Sequence, residues 1–195
     1  MGSSDPTPEV NLDVRLELPD ALRVLLEEYP RALWKTDPNF SQLIRFWLDR
    51  HLMFRRVLKQ LQLEAESCLD RGMEHRDYAA RLSRLGGQFL NELHGHHMIE
   101  DSHYFPQLKT FDPRLTRGFD ILDRDHHAID AHLADFAAAA NAVIGAATEG
   151  RQDEVAVAGM GSVLATTDRF LDRHLVDEEE LVVPVLLKFA PVGLA

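Results

Sequence analysis

The chain has 195 residues, which is enough for one domain with a substantial buried core. Hydrophobic residues make up 45% of it and charged residues 27%, a balance typical of soluble globular proteins. The formal net charge of −11 argues against nucleic acid and anionic membrane surfaces as partners, because both require a basic face.

Targeting signals are not evident in the sequence. No apolar stretch approaches the roughly 20 residues that a membrane-spanning helix requires. The first residues, "MGSSDPTPEVNLDV", have neither the basic start nor the apolar run of a secretory signal. The lone Cys68 leaves no partner for an intrachain disulfide and fits a reducing compartment. We therefore expect a cytoplasmic protein that does not bind membranes.

Helical periodicity dominates the sequence, and strand patterns are nearly absent. We predict an N-terminal extension over residues 1–40, with one short helix in "PDALRVLLEEY", followed by a helical domain over residues 41–190. Breaks rich in Pro, Gly, Asp and charge cut the domain into four segments of roughly 30 residues each. These breaks fall at residues 36–41, 68–77, 109–114 and 148–154. Four long helices with loops of several residues predict an all-α, antiparallel up-down-up-down four-helix bundle.

Each predicted helix carries an apolar stripe with residues three or four apart, and each stripe includes one histidine. These histidines are His51, His96, His126 and His174. A single histidine on an apolar face is more often an ordinary core residue than a ligand. One on each of four core faces instead predicts a shared polar site inside the bundle.

The second and fourth helices add a glutamate and a proline at the same spacing. His96 is followed by Glu100 and Pro106, and His174 is followed by Glu178 and Pro184. Four residues turn a helix by about 400°, so each His and Glu share a face. Burying carboxylates with imidazoles is costly unless a cation neutralises them. Such ligands suit iron, manganese or zinc better than calcium or magnesium.

Four stretches of the chain together resemble the hemerythrin-like (HHE cation-binding) domains over roughly residues 40–190. They are "FWLDRHLMFRRVL", "LHGHHMIEDSHYFPQL", "DRDHHAIDAHL" and "LDRHLVDEEELVVPVLL". The resemblance implies a four-helix bundle holding two non-haem iron ions, bridged by two carboxylates and a solvent-derived oxygen. It implies dioxygen, another small diatomic molecule or peroxide as the partner, with manganese or zinc as alternative metals. The ligands implied by motif are His51, His96, Glu100, His126, His174 and Glu178.

The sequence departs from the oxygen-carrying members of that family at one position. Those members have a second histidine one turn before the third-helix ligand, where this chain has Leu122. Fewer imidazoles favour sensing of oxygen, nitric oxide or redox state, peroxide chemistry or iron handling over reversible oxygen carriage. Further donors near the motifs leave the ligand set open: His97 with Asp101 as a competing register, and His103, Asp130 and Glu179. We expect His75, His94, His127 and His132 to lie at the surface or in loops.

Two other interpretations remain at this stage. A ferritin-like di-iron oxidase would require Glu-x-x-His on two helices, and the chain offers only Glu100–His103 and the weaker Asp123–His126. A metal-stabilised interaction module would use the extension, which either docks on the bundle or presents Trp34 and Phe40 to a partner. The small residues of "FAAAANAVIGAA" also leave room for a homodimer interface.

Overall fold

The computed structural model describes residues 11–191 and residue 194. Within them all regular structure is helical, which confirms the all-α class. The long helices are α2 (Gln42–Leu69), α3 (His75–Ile99), α5 (Thr116–Thr148) and α6 (Glu154–Phe189), and the short ones are α1 (Val24–Glu28) and α4 (Phe105–Leu108). In the described part of the chain, no helix combines the length and the apolar character needed to cross a bilayer.

The predicted N-terminal extension is described from residue 11 onward, and its first ten residues lie outside the described part. It contains a 3-10 turn at Asp20–Leu22, helix α1 and a 3-10 helix at Arg31–Thr36. Several of its apolar side chains are buried in one hydrophobic cluster with residues of the helical domain; they are Leu18, Leu22, Leu25 and Trp34. Trp34 also donates its indole N–H to the Tyr29 carbonyl at 2.8 Å. Trp34 therefore belongs to the protein core.

Helix α3 continues into α4 through a π-helical segment at Glu100–Tyr104. A π-turn is wider than an α-turn and is frequently found at functional sites. Pro106 lies two residues after this segment and has no N–H to donate; in an α-helix its ring would clash with the preceding turn. Glu100 and Asp101 are the first two residues of the π segment, so its geometry sets the direction in which their side chains point.

The chain divides into two compact units. The first unit comprises Met1–His51, Met98–His127 and Asp172–Ala195. In it, Gly118 of α5 lies so close to Leu181 of α6 that an added Cβ would stand 2.9 Å from a leucine methyl. Further along α5, His126 meets the earlier His174 of α6. These parts of α5 and α6 therefore run antiparallel.

The second unit comprises Leu52–His97 and Ala128–Leu171. Aromatic rings fill its interior: Phe54 and Phe89 lie 6.0 Å apart by ring centroids, and Phe89 and Phe136 lie 5.7 Å apart. Together with the ion pair between Glu64 and Arg81, the contact of Phe54 with Phe89 shows that α2 and α3 run antiparallel here. The interior of this unit is mainly apolar.

Candidate metal centre

The interior of the first unit holds an unusual number of ionisable side chains. The buried ones near its centre are Arg15, His51, Glu100, Asp125, His126, His174, Asp177, Glu178 and Glu179. Charged groups in a protein interior destabilise the fold unless they are paired or bind a cation. The partners of each group therefore decide what this cluster can do.

Five of the six ligands implied by the motifs meet in this cluster. His51, Glu100 and Glu178 each offer a donor atom, and these atoms lie within 4.8 Å of one another. His126 and His174 bring their Nε2 atoms to 3.1 Å from each other. Helices α2, α5 and α6 and the π segment thus each contribute at least one donor to the interior of the first unit.

Glu178 directs its two oxygens at two different imidazoles. Its Oε1 lies 3.5 Å from His51 Nε2, and its Oε2 lies 3.5 Å from His174 Nε2. The indole N–H of Trp47 donates to Oε1 and helps to fix the carboxylate. Glu100 places its own Oε2 at 3.5 Å from His126 Nε2. Both carboxylates therefore face imidazole nitrogens and not solvent.

The other ring nitrogen of each of these histidines faces a carboxylate. His126 Nδ1 lies 2.8 Å from Asp101 Oδ1, and His51 Nδ1 lies 3.0 Å from Glu179 Oε1. His174 Nδ1 lies 3.5 Å from Asp125 Oδ2. An Nδ1–H that points at a carboxylate leaves the Nε2 lone pair directed at the cluster. This is the arrangement in which metal-binding histidines are usually found.

Burial and neighbouring charges displace the pKa values of the cluster. Burial raises the pKa of Glu100 well above its ordinary value, and the nearby Glu178 carboxylate raises it further. Burial lowers the pKa of His126. Burial alone would also lower the pKa of His174, but the carboxylates of Asp125 and Glu178 raise it to about 9. A metal bound at His174 Nε2 would therefore have to displace a proton from this ring.

The remaining motif residues fall into two groups. Asp101 and Glu179, which the sequence offered as spare donors, instead face the Nδ1 atoms of His126 and His51. His103 is exposed and contacts Gln107 on its own helical segment, and Asp130 is exposed as well.

Two predicted donors, His96 and His97, lie at the end of the second unit's Leu52–His97 segment. His96 is half-buried, with its ring 5.3 Å from that of Phe54, and His97 is buried. Of the histidines expected at the surface, His94 and His127 are exposed, whereas His75 and His132 are half-buried. His132 stacks on Phe170 with ring centroids 4.1 Å apart, so its half-buried ring is packed against a neighbour.

The model of the hemerythrin HHE cation binding domain matches residues 42–186 of the chain. The chain belongs to this family. Searches of curated proteins and of solved structures returned no match. The match starts at the first residue of α2, so the N-terminal extension lies outside the family domain.

The donor set fits the cation that the family description names. Metal–nitrogen and metal–oxygen bonds of about 2.0–2.2 Å, as zinc makes them, allow two ligands of one ion to lie up to roughly 4 Å apart. The separations of 3.5 Å between Glu178 and its two imidazoles fall within that range. Buried imidazoles and carboxylates without a thiolate suit a first-row transition metal.

Proposed function

We propose that this protein holds two iron ions in a non-haem centre and uses them to sense oxygen, nitric oxide or redox state, or to handle iron. The proposed ligands are His51, His96, Glu100, His126, His174 and Glu178. The observation that carries the proposal is Glu178, whose two oxygens each lie 3.5 Å from the Nε2 atom of a different histidine. A carboxylate in that position can join two metal ions, whereas a mononuclear site needs only one of its oxygens.

His96 enters the proposed ligand set through its position on α3. It lies in the last turn of that helix, four residues before Glu100, so the two side chains follow one another along one helix face. The same spacing links His97 to Asp101, but Asp101 Oδ1 lies 2.8 Å from His126 Nδ1, so we keep His96 and Glu100 in the proposed set.

The up-down-up-down order of the four long helices is also part of the proposal. It is supported by the antiparallel contacts between α2 and α3 in the second unit and between α5 and α6 in the first. Short connections at residues 70–74 and 149–153 also favour antiparallel neighbours.

An iron pair would supply one-electron redox chemistry and open positions for oxygen, nitric oxide or peroxide. The chain's own residues would hold the ions, orient the imidazoles and limit the access of water. Phe105 stacks on the His126 ring at 5.6 Å, and Leu122 is fully buried. The side chain of Leu122 offers no donor where the oxygen carriers have an imidazole. We infer that the centre is less saturated with protein ligands than in those carriers.

Stopped-flow mixing of the anaerobic, iron(II)-loaded protein with oxygen tests the proposed chemistry. We expect an absorbance change that stays when oxygen is removed, because a less saturated centre is oxidised and does not release oxygen intact. The His103→Ala variant serves as a control, since its exposed imidazole should not affect the rate. A change that reverses fully on removal of oxygen would instead show an oxygen carrier.

The two rival functions receive less support from the side-chain positions. The ferritin-like interpretation needs His103, which is exposed. An interaction module that presents Trp34 needs an exposed indole, and this one is buried. Loss of iron in His51→Ala would separate the hemerythrin-like site from the ferritin-like one, because only the former uses an imidazole from α2. A bound metal that does not react with oxygen, together with a large loss of stability on its removal, would instead indicate an interaction module. Manganese or zinc as the metal, a homodimer and a cytoplasmic location stay predictions; the last is supported by the single, buried Cys68.

A further inference from the structure

The N-terminal extension lies outside the family domain, yet one of its arginines penetrates the interior of the first unit. The Arg15 side chain is fully buried. Its Nη2 atom lies 2.5 Å from Asp125 Oδ2, and its Nε atom lies 2.9 Å from Asp177 Oδ2. Asp125 is the carboxylate that faces His174 Nδ1. Arg15, Asp125 and His174 thus form a continuous chain of contacts that ends at a proposed metal ligand.

A second arginine of the extension makes the corresponding contacts on another helix. Arg31 Nη1 lies 2.6 Å from Glu179 Oε2, and the other oxygen of Glu179 lies 3.0 Å from His51 Nδ1. The proposed ligands His51 on α2 and His174 on α6 therefore each face, at Nδ1, a carboxylate that is paired with an arginine of the extension. Arg31 is 44% exposed, whereas the side chain of Glu179 is almost completely buried.

The backbone around Arg15 is attached to α6 at further points. The backbone N–H of Leu18 donates to Asp177 Oδ1 at 3.2 Å. Arg173 donates to the Leu16 carbonyl and also pairs with Asp177 at 2.6 Å. These bonds fix residues 15–18 on the helix that carries His174. Arg15 is therefore held both through the backbone beside it and through its guanidinium.

The third histidine provides an internal comparison. His126 Nδ1 faces Asp101, whose side chain is 30% exposed to solvent and contacts no arginine of the extension in the described residues. Water can therefore solvate this carboxylate, whereas Asp125 is closed off from solvent. In the described residues, the arginines of the extension pair with the two buried carboxylates, Asp125 and Glu179, and not with the partly exposed Asp101.

We propose that Arg15 and Arg31 are positioning residues of the metal centre, and that the extension is thereby a working part of it. Each guanidinium pairs with a buried carboxylate and holds it in place, and that carboxylate fixes the ring orientation and tautomer of His174 or His51. Removal of such outer partners typically lowers metal affinity by 10–100-fold. The two chains of contacts meet at Glu178, which faces both His51 and His174, so the double variant measures how far their effects are coupled. This inference rests on the proposed metal centre.

Anaerobic titration of the full-length chain with Co²⁺, followed by its visible absorption, measures the effect. We expect Arg31→Ala and Arg15→Ala to weaken Co²⁺ binding by about 10–100-fold, with the larger loss for the buried Arg15. Arg23→Ala is the matched control, since that arginine of the extension pairs with Glu17, Asp20 and Glu180, which are not the carboxylates that face His51 and His174. It should stay within about twofold of the unaltered chain.

A second readout separates positioning from general stabilisation. In the Co²⁺-loaded protein, the Nδ1–H protons of bound imidazoles give paramagnetically shifted NMR signals that exchange with water. Arg31→Ala should speed the exchange of one such proton and Arg15→Ala that of another, while the His126 proton stays unchanged in both. A general loss of stability would affect all of them together. If Arg15→Ala fails to fold, Arg31→Ala carries the test, because its half-exposed side chain can be removed without opening the core.

The outcomes distinguish this inference from the function on which it rests. If the unaltered chain does not bind Co²⁺, the proposed metal centre fails and the inference fails with it. If the unaltered chain binds Co²⁺ and both arginine variants behave like Arg23→Ala, the extension plays no part in the centre and only this inference is overturned.

Discussion

The two units are built from the same long helices but have different interiors. The second unit is filled by rings such as Phe54, Phe89 and Phe136, with few buried polar groups. The first unit buries histidines, carboxylates and an arginine next to its apolar cluster. Apolar burial stabilises a fold, whereas buried charge stabilises it only when it is well paired. We infer that the second unit mainly provides stability and that the first accepts a less stable interior for the sake of chemistry.

The largest expected effect is the loss of metal from the first unit. Glu178→Gln keeps the size of the side chain but removes the charge that both proposed ions share. We expect metal affinity to fall by more than about 100-fold, beyond the range typical of outer partners. Glu180→Gln is the matched control, since that neighbouring side chain is only half-buried. Metal analysis after gel filtration measures the effect, and full metal content in Glu178→Gln would contradict the account.

A large-to-small substitution in the apolar interior of the second unit should lower stability without affecting metal content. Phe89 is 1% exposed and contacts two other rings. Phe89→Ala should lower the free energy of unfolding by about 3–5 kcal/mol, as large-to-small core substitutions do. Leu63→Ala, at an exposed position of α2, should change it far less. Urea unfolding gives the free energies, and the metal bound per folded chain should match that of the unaltered protein.

A smaller effect should appear in the pH dependence of the metal-free protein. The folded-state pKa of His174, about 9, lies above the ordinary value of 6.5. Its contribution to stability is therefore complete below pH 6.5 and is lost as the pH rises to about 9. The raised pKa of His51 acts in the same direction, and the lowered pKa of His126 acts only below pH 6.5.

Urea midpoints of the metal-free chain between pH 6.5 and 9 test this expectation. The midpoint should fall across that range, and the fall should be shallower in His174→Gln. The metal-loaded protein should behave in the opposite way, because bound metal displaces protons and binds more tightly as the pH rises. A flat profile for the metal-free chain would show that these imidazoles are not held protonated.

The smallest effect concerns two adjacent glycines of α3 in the second unit. A Cβ added at Gly87 would meet no other side chain within 4 Å, whereas one at Gly86 would lie 3.1 Å from the Phe136 ring. Gly87→Ala should therefore stabilise the protein by about 0.4–1 kcal/mol, since it restricts the unfolded chain. Gly86→Ala should gain less or lose stability, because the ring must shift. Thermal unfolding of the pair would settle the order, and equal gains would show that Phe136 is free to move.

Periodicity was sufficient to predict the long helices and an inward-facing histidine on three of them. One histidine per apolar stripe led to His51, His126 and His174, and all three lie together in the first unit. The choice between Glu100 and Asp101 could not be made from spacing, because it depends on the π segment that begins at Glu100. In the structure Glu100 faces His126 Nε2 and Asp101 faces the other nitrogen of the same ring.

The outer partners of the histidines could not be found from the sequence. Arg15 lies 110 positions from Asp125 and 162 from Asp177, and no periodic pattern links residues so far apart. Trp47 occupies an apolar stripe position, and only the folded chain shows its indole N–H donating to Glu178. Asp125 directly precedes His126, but in the structure it serves His174. These contacts depend on how the helices pack, and spacing within one helix carries no information about that.

The most direct test of the central claim is the iron content per chain of the full-length protein loaded with iron(II) without oxygen, measured alongside Glu178→Gln. We predict two irons per unaltered chain and a loss of iron in the variant, because in the proposed centre one carboxylate would serve both ions. A single iron that Glu178→Gln retains, or no iron at all, would contradict it, and the polar interior of the first unit would then have a purely structural role.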